Sequence, residues 1–476
     1  MKTTVHFLMV MVFKCLAPAL VNAQWAPKVK ISPNSVAATM NENMASCLAV
    51  SNDTVHVVWC DRHAAGSAVY YRRSADTGLT WNTAKPITDT MGSASFPAIA
   101  VSGATVHVVW MDTSLHRKAS FYKRSLDGGN TWGATYVLDS DTKFWPGLAA
   151  SGPLVVVSLN KEIISGNTEV YFRRSLNNGT TWDTLQRISN ANGRSEDPAI
   201  AALGKNVYLS WNDNRNSANM QTYYRHSANS GLTWGPETQL VVAAGGAPNN
   251  CYTTMVSVNG PYVDVPCGES IGGEFDVHMK QSPDTGNTFG TDKQLTSTPS
   301  PVNEAYPYLV RDSMNLHMVY LQFNTGPTYL HSANGGVTWD TAVNLGHGGQ
   351  PFIAYTCSIL HAIWTDSGAV YYRRNPTGNA SGHANCNVVR TGIAQPFYSN
   401  SIFSVYPNPV VNNVTIAFNK EGMYRIALYD ITGRTVNEFK SSGKEFSFST
   451  TTLSSGIYFL KVAGADGMQM EKLVKE

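Results

Sequence analysis

The residues best suited to chemistry in this 476-residue chain are the ones that do not recur. Arg62, Glu162, Arg194, Glu196, Arg215, Glu269, Glu274, Trp145 and Tyr306 each stand alone among strand-like segments that otherwise resemble one another. Asp61 and Asp213 join them, although both belong to a repeated Trp-x-Asp ending (Trp59 and Asp61, Trp211 and Asp213, Trp364 and Asp366). That recurrence favours tryptophan packing and aspartate turn-capping over a sugar-stacking shelf. Carboxylates, a tyrosine and arginines suit glycoside chemistry. Two carboxylic groups can flank a scissile bond, or a tyrosine can act as nucleophile beside a glutamate. Guanidinium groups hold a sugar carboxylate bidentately.

Other chemistries are poorly supported. The histidines show no zinc spacing, and His56, His107 and His317 recur at one strand position, so no metal is expected. No cofactor is expected either. The oxygen-rich run Asp213 to Asn219 keeps calcium open as a minor alternative, without the spacing of a known calcium loop. Charged residues make up 14% of the chain and the formal net charge is +2, with two lysines in the leader, which argues against nucleic acid as a partner.

These residues must be positioned by a repeat. SADTGLTW (Ser74 to Trp81) returns as SLDGGNTW, SLNNGTTW, SANSGLTW, SPDTGNTF and SANGGVTW, with leading serines 50 to 55 residues apart. The Asp or Asn of each box is Asp76, Asp127, Asn177, Asn229, Asp284 or Asn334. Serine and Asp or Asn bond nearby backbone, glycine supplies a positive φ, and the last aromatic buries itself beneath the turn. The boxes resemble the bacterial neuraminidase repeat, or Asp-box, family of sialidase-like β-propellers. That resemblance implies a propeller whose box turns lie away from the ligand face, so the boxes themselves say little about chemistry.

Between boxes, alternating segments read as strands, and the second strand can be counted independently from Thr54–Trp59 through Ile359–Trp364, giving seven units. The fold class is therefore all-β: a seven-bladed propeller, with six blades the lesser alternative, followed by a small β-sandwich. The seventh unit lacks a fourth strand, and KVKIS (Lys28 to Ser32) resembles the fourth strands elsewhere, so the N-terminus closes the last blade. On this topology the second-to-third loops and the interblade loops share one face, which carries the candidate residues.

Ser401 to Glu476 has no box. FSVYPNP, IALYDITGR, LSSGIYFLKV and EKLVKE resemble the C-terminal sorting domain of the Bacteroidetes type IX secretion system. This implies passage across the outer membrane with the secretion machinery as partner. Residues 1–23 read as a signal peptide, with Lys2, an apolar run and Val21-Asn22-Ala23 at the cleavage site. Residues 24–390 then form the propeller, 391–400 a linker and 401–476 the sorting domain. No later stretch is apolar enough for a transmembrane segment. The protein is thus expected to be secreted or held at the outer-membrane surface. Six cysteines remain after the leader, and the repeat places Cys47 near Cys60 and Cys251 near Cys267, leaving Cys357 with Cys386; disulfides and buried free thiols both fit.

The sialidase resemblance implies three arginines and an early Phe-Arg-Ile-Pro-like motif, but Val29 to Asn34 reads VKISPN. Recognition of a glycan or glycoprotein is therefore expected ahead of hydrolysis, the alternatives being an exo-glycosidase such as a sialidase and a protein-interaction propeller.

Overall fold

The computed structural model describes residues 25–377 and 403–476, apart from 34–36, 42–44, 64–65, 89–91, 116, 144, 216–218, 241–249, 272–273, 298–302, 357–358, 407, 431–433 and 465–466. The leader, the linker, Cys357 and Cys386 lie outside the described residues. The chain divides into two compact units at Ile393 and Ala394.

The first unit is seven antiparallel sheets, one per sequence repeat. Blade 4 shows the pattern: Ser195–Leu203, Asn206–Asp213, Gln221–Ser227 and Thr238–Gln239 pair in sequence order. Innermost strands contact one another in ring order, from Leu48–Ser51 round to Pro351–Thr356 and back to Leu48–Ser51. The core lies between blades; Val57, Trp59, Tyr71 and Val108 of adjacent blades share one buried cluster. Strand alternation accounts for this, since each sheet turns one face to each neighbour.

Seven blades and the closing strand are both present. Val29–Lys30 pairs with Ala369–Asn375, with Val29 opposite Tyr372. A second closing device involves Trp25. Four box aromatics pack edge-on against a third-strand ring of the preceding blade: Trp132 on Tyr71, Trp182 on Tyr122, Trp234 on Phe172 and Phe289 on Tyr224, at 4.9 to 5.1 Å. Trp81 closes onto Tyr372 of blade 7 at 5.0 Å. Blade 7 has no intact box aromatic, and Trp25 takes that place against Tyr329 of blade 6 at 5.1 Å.

The six box turns fold alike. In the second, Ser125 Oγ donates to Asp127 Oδ1 at 2.7 Å and accepts from Gly129 N at 2.8 Å, while Asp127 accepts from Thr131 N and Oγ1. Gly129 has φ +86°, and a Cβ there would lie 1.9 Å from the Tyr71 hydroxyl. Glycine is required both by the backbone and by the neighbouring blade's tyrosine. The paired arginines before the boxes stitch blades together: Arg73 donates to Gly128 O at 2.5 Å, and Arg174 to Ser230 O at 2.7 Å. The recurrent histidines are internal. His56, His107, His317 and His361 bond third-strand tyrosine hydroxyls at 2.7 to 2.9 Å, and burial pushes each pKa down to about 3.

Of the two cysteine readings, the structure shows free thiols: Cys47, Cys60, Cys251 and Cys267 are buried and unbonded. Cys47 Sγ donates to Pro97 O at 3.1 Å and accepts from Asn41 N at 3.2 Å. Cys251 and Cys267 form a small cluster of their own, with Thr222 Oγ1 donating to Cys251 Sγ at 2.9 Å. Burial raises the Cys47 thiol to about 12, so it rests as a neutral, weakly polar packing group.

The second unit folds one hydrogen-bonded sheet over on itself. The long strand Asn413–Asp430 pairs with Thr435–Ser449 along its length, through a register shift between Ala417 and Gly422. Phe403–Tyr406 flanks its first half, and Gly456–Gly464 with Gly467–Lys475 flanks its second. The two layers enclose Phe403, Val414, Ile416, Leu428, Leu460 and Leu473, a small sandwich as its alternation predicts.

Candidate functional site

The rim opposite the boxes is built from the starts of the innermost strands, where the ladder breaks. Register shifts between Ser95 and Ala98, Glu196 and Ala199, and Ala305 and Tyr308 mark a bulge in blades 2, 4 and 6. At each, a non-glycine residue adopts a positive φ: Phe96 at 52°, Asp197 at 55° and Tyr306 at 55°. Trp145, at 42°, and Thr253, at 56°, hold equivalent places in blades 3 and 5. All but Thr253 precede a proline. Left-handed backbone in bulky residues is strained and persists where the surroundings over-determine it, and bulges re-aim side chains. Five neighbouring blades thus spend backbone strain at one rim.

The rim carries aromatic rings and an acid. Phe96 and Trp145 meet edge-on at 5.6 Å, and Tyr306 lies 6.3 Å from Phe323. Asp197, partly buried, accepts from Asn212 Nδ2 at 3.2 Å. Desolvation, and to a lesser degree the neighbouring Glu196 carboxylate, lift its pKa to about 6 against the lowering effect of that hydrogen bond. A carboxyl group that exchanges protons near neutrality is equipped for general acid or base work.

The candidates named from sequence divide sharply. Asp213 is fully buried and fixed: it accepts from Ser195 Oγ at 2.8 Å, Trp211 Nε1 at 3.1 Å and Arg215 Nε and Nη2 at 2.9 and 2.6 Å. Arg215 also pairs with Glu237 and lies over the Tyr223 ring. Both are structural, so the oxygen-rich run loses its first ligand to an arginine. Asp61 is buried beside Ala68 in the second strand of blade 1, with Arg62 exposed next to it. Arg194 is half exposed and lies 3.6 Å from Glu196, which accepts from Thr168 Oγ1 at 3.1 Å. Glu162 is exposed and pairs with Lys143 at 3.2 Å. Glu269 is buried within blade 5, 3.4 Å from His278 Nδ1. Glu274 begins the third strand of that blade. Trp145 and Tyr306 belong to the strained rim.

Arg62 lies in blade 1 while Arg194 and Arg215 lie in blade 4, three blades away, and Arg215 is occupied. A three-arginine carboxylate clamp is therefore not assembled from these residues. Sequence reasoning singled out neither Asp197 nor Phe96. The signal available was an aromatic or acidic residue directly before proline at the start of an inner strand, in four of five consecutive repeats.

The axis is narrow. Tyr308 lines both a cavity of about 30 Å³ toward the strained rim, with Gly147, Ala199 and Met255, and one of about 310 Å³ toward the boxes, with Leu48, Asn259 and Tyr355. A groove of about 520 Å³ lies in the C-terminal unit and holds none of the candidate residues. Among the described residues no helix is long and apolar enough to cross a membrane.

No curated protein matches the chain. Among solved structures, an ulvan lyase of polysaccharide lyase family PL25 superposes with a TM-score of 0.51 at 12% identity, covering 73% of this chain and 95% of that one. An α-L-arabinofuranosidase, Arb93A from Fusarium graminearum, gives 0.45 at 14% identity over 59% of this chain and 92% of that one. The Hadza microbial sialidase Hz136 gives 0.42 at 13% identity over 70% and 74%. The lyase shares the propeller architecture. Residues 404–476 match the family model of the secretion system C-terminal sorting domain, so the chain carries a type IX sorting domain and is delivered to the cell surface or beyond it.

Proposed function

We propose that this protein is a secreted propeller that recognises extracellular glycans through the rim bearing Phe96, Trp145, Asp197 and Tyr306. The observation that carries this reading is the left-handed backbone that five consecutive blades place at Phe96, Trp145, Asp197, Thr253 and Tyr306 of that rim, four of them directly before a proline. Rigid aromatic faces stack on the C–H surface of a sugar, and flanking carboxylate and amide groups bond its hydroxyls. A polysaccharide lyase of the same architecture supports a glycan as ligand. Recognition of a protein partner is the competing class, and an unordered aromatic rim would favour it.

One observation favours catalysis as the second reading: Asp197, with its pKa lifted to about 6, is the group an exo-glycosidase would use as an acid. Both readings are separated by a glycan array run beside a panel of fluorogenic glycosides that includes a sialoside. Array binding that disappears in W145A and Y306A, without turnover, supports recognition. Turnover abolished in D197N transfers the function to hydrolysis. Neither binding nor turnover by the intact mature chain would sink both and leave the protein-interaction alternative.

A further inference from the structure

Blade 5 departs from the others at one linked set of positions. In blades 1, 2, 4 and 7 a second-strand tryptophan stacks on the ring directly opposite it in the third strand: Trp59 on Tyr70, Trp110 on Phe121, Trp211 on Tyr223 and Trp364 on Tyr371. In blade 5 that pair is Cys267 opposite His278. Two residues past the tryptophan those blades carry aspartate; blade 5 carries the longer Glu269. The residue before the fourth strand is Ala84 in blade 1 and Ala342 in blade 6, but Asp292 in blade 5.

The three changes converge. His278 Nδ1 lies 2.6 Å from Asp292 Oδ2 and 3.4 Å from Glu269 Oε2, and one donor atom from each residue falls within 4.8 Å of the others. His278 and Glu269 are buried, while Asp292 is exposed and leaves a path for entry. One nitrogen and two oxygens are donors of the types zinc takes, with water completing the usual four, whereas calcium wants six to eight oxygens. We propose that Glu269, His278 and Asp292 bind a zinc ion, tying together the second strand, the third strand and the approach to the fourth in blade 5.

The test is calorimetric titration of the EDTA-stripped mature chain with zinc chloride, with calcium chloride in parallel and thermal unfolding recorded with and without zinc. One zinc per chain is expected, with a raised unfolding midpoint. Affinity should fall at least tenfold in D292N, which alters an exposed side chain and leaves the core intact, and in H278Q. Absence of stoichiometric uptake would overturn the proposal. So would uptake unchanged in both variants, calcium binding tighter than zinc, or binding lost in C251S and C267S while surviving in H278Q and D292N.

Discussion

The two rims of the propeller are made from the same strands and obey opposite rules. At the box rim each turn is a copy of the last, with the same serine, the same positive-φ glycine and an aromatic ring lodged against the preceding blade. At the other rim no two blades present the same residue, and the left-handed positions are filled by Phe96, Trp145, Asp197, Thr253 and Tyr306, where glycine would be free of strain. Repetition at the first rim reflects a demand every blade shares, which is to hold its neighbour. Strain without repetition at the second reflects demands that differ from blade to blade, as a ligand imposes.

This contrast predicts where substitutions act. The largest effect belongs to ring closure: W25A removes a buried ring from the seam between blades 6 and 7 and should cost about 3–5 kcal/mol in denaturant unfolding. A loss below about 1 kcal/mol would mean that the closing strand alone seals the ring. G129A comes next, since it forces a Cβ onto Tyr71 at a positive φ, and about 2–3 kcal/mol should be lost with the rim opposite unaffected. W145A is expected to do the reverse, lowering glycan affinity about tenfold, about 1.4 kcal/mol, while the unfolding midpoint moves little.

The smallest effect is electrostatic. The folded pKa of Asp197, about 6, lies above its ordinary 3.8, so between those values the folded chain holds more protons than the unfolded one. Its contribution to stability is full below about pH 4 and is lost as pH rises through about 6. Relative to D197N, the wild-type chain should lose about 1 kcal/mol across that window, the shift being discounted for the residue's partial contact with water. Parallel pH–stability curves for the two proteins would show that Asp197 is not held as the structure implies.

Much of the scaffold was legible from residue types and spacing. Boxes, strand units, the N-terminal closing strand and the sorting domain are local patterns, each set by neighbours within a few residues or by simple recurrence. Trp25 was not legible, because its partner Tyr329 lies about three hundred positions away and only ring closure brings them together. Asp213 and Arg215 looked free on paper, and only packing shows each consumed by the other. The bulges hide for a similar reason: proline after an aromatic residue is visible, whereas a positive φ is imposed by the ladder around it. Histidine spacing gave no metal motif, since Glu269, His278 and Asp292 come from separate strand segments of one blade.

The number of blades, the chemistry of the turns and the secretion address can be read from residue order alone, because period, turn residues and strand alternation are short-range properties of the chain. Which polar groups remain available is set by packing. Availability depends on what each side chain meets in the packed blade: Asp213 of blade 4 is locked by Arg215, whereas Glu269, at the same place in blade 5, lies 3.4 Å from His278.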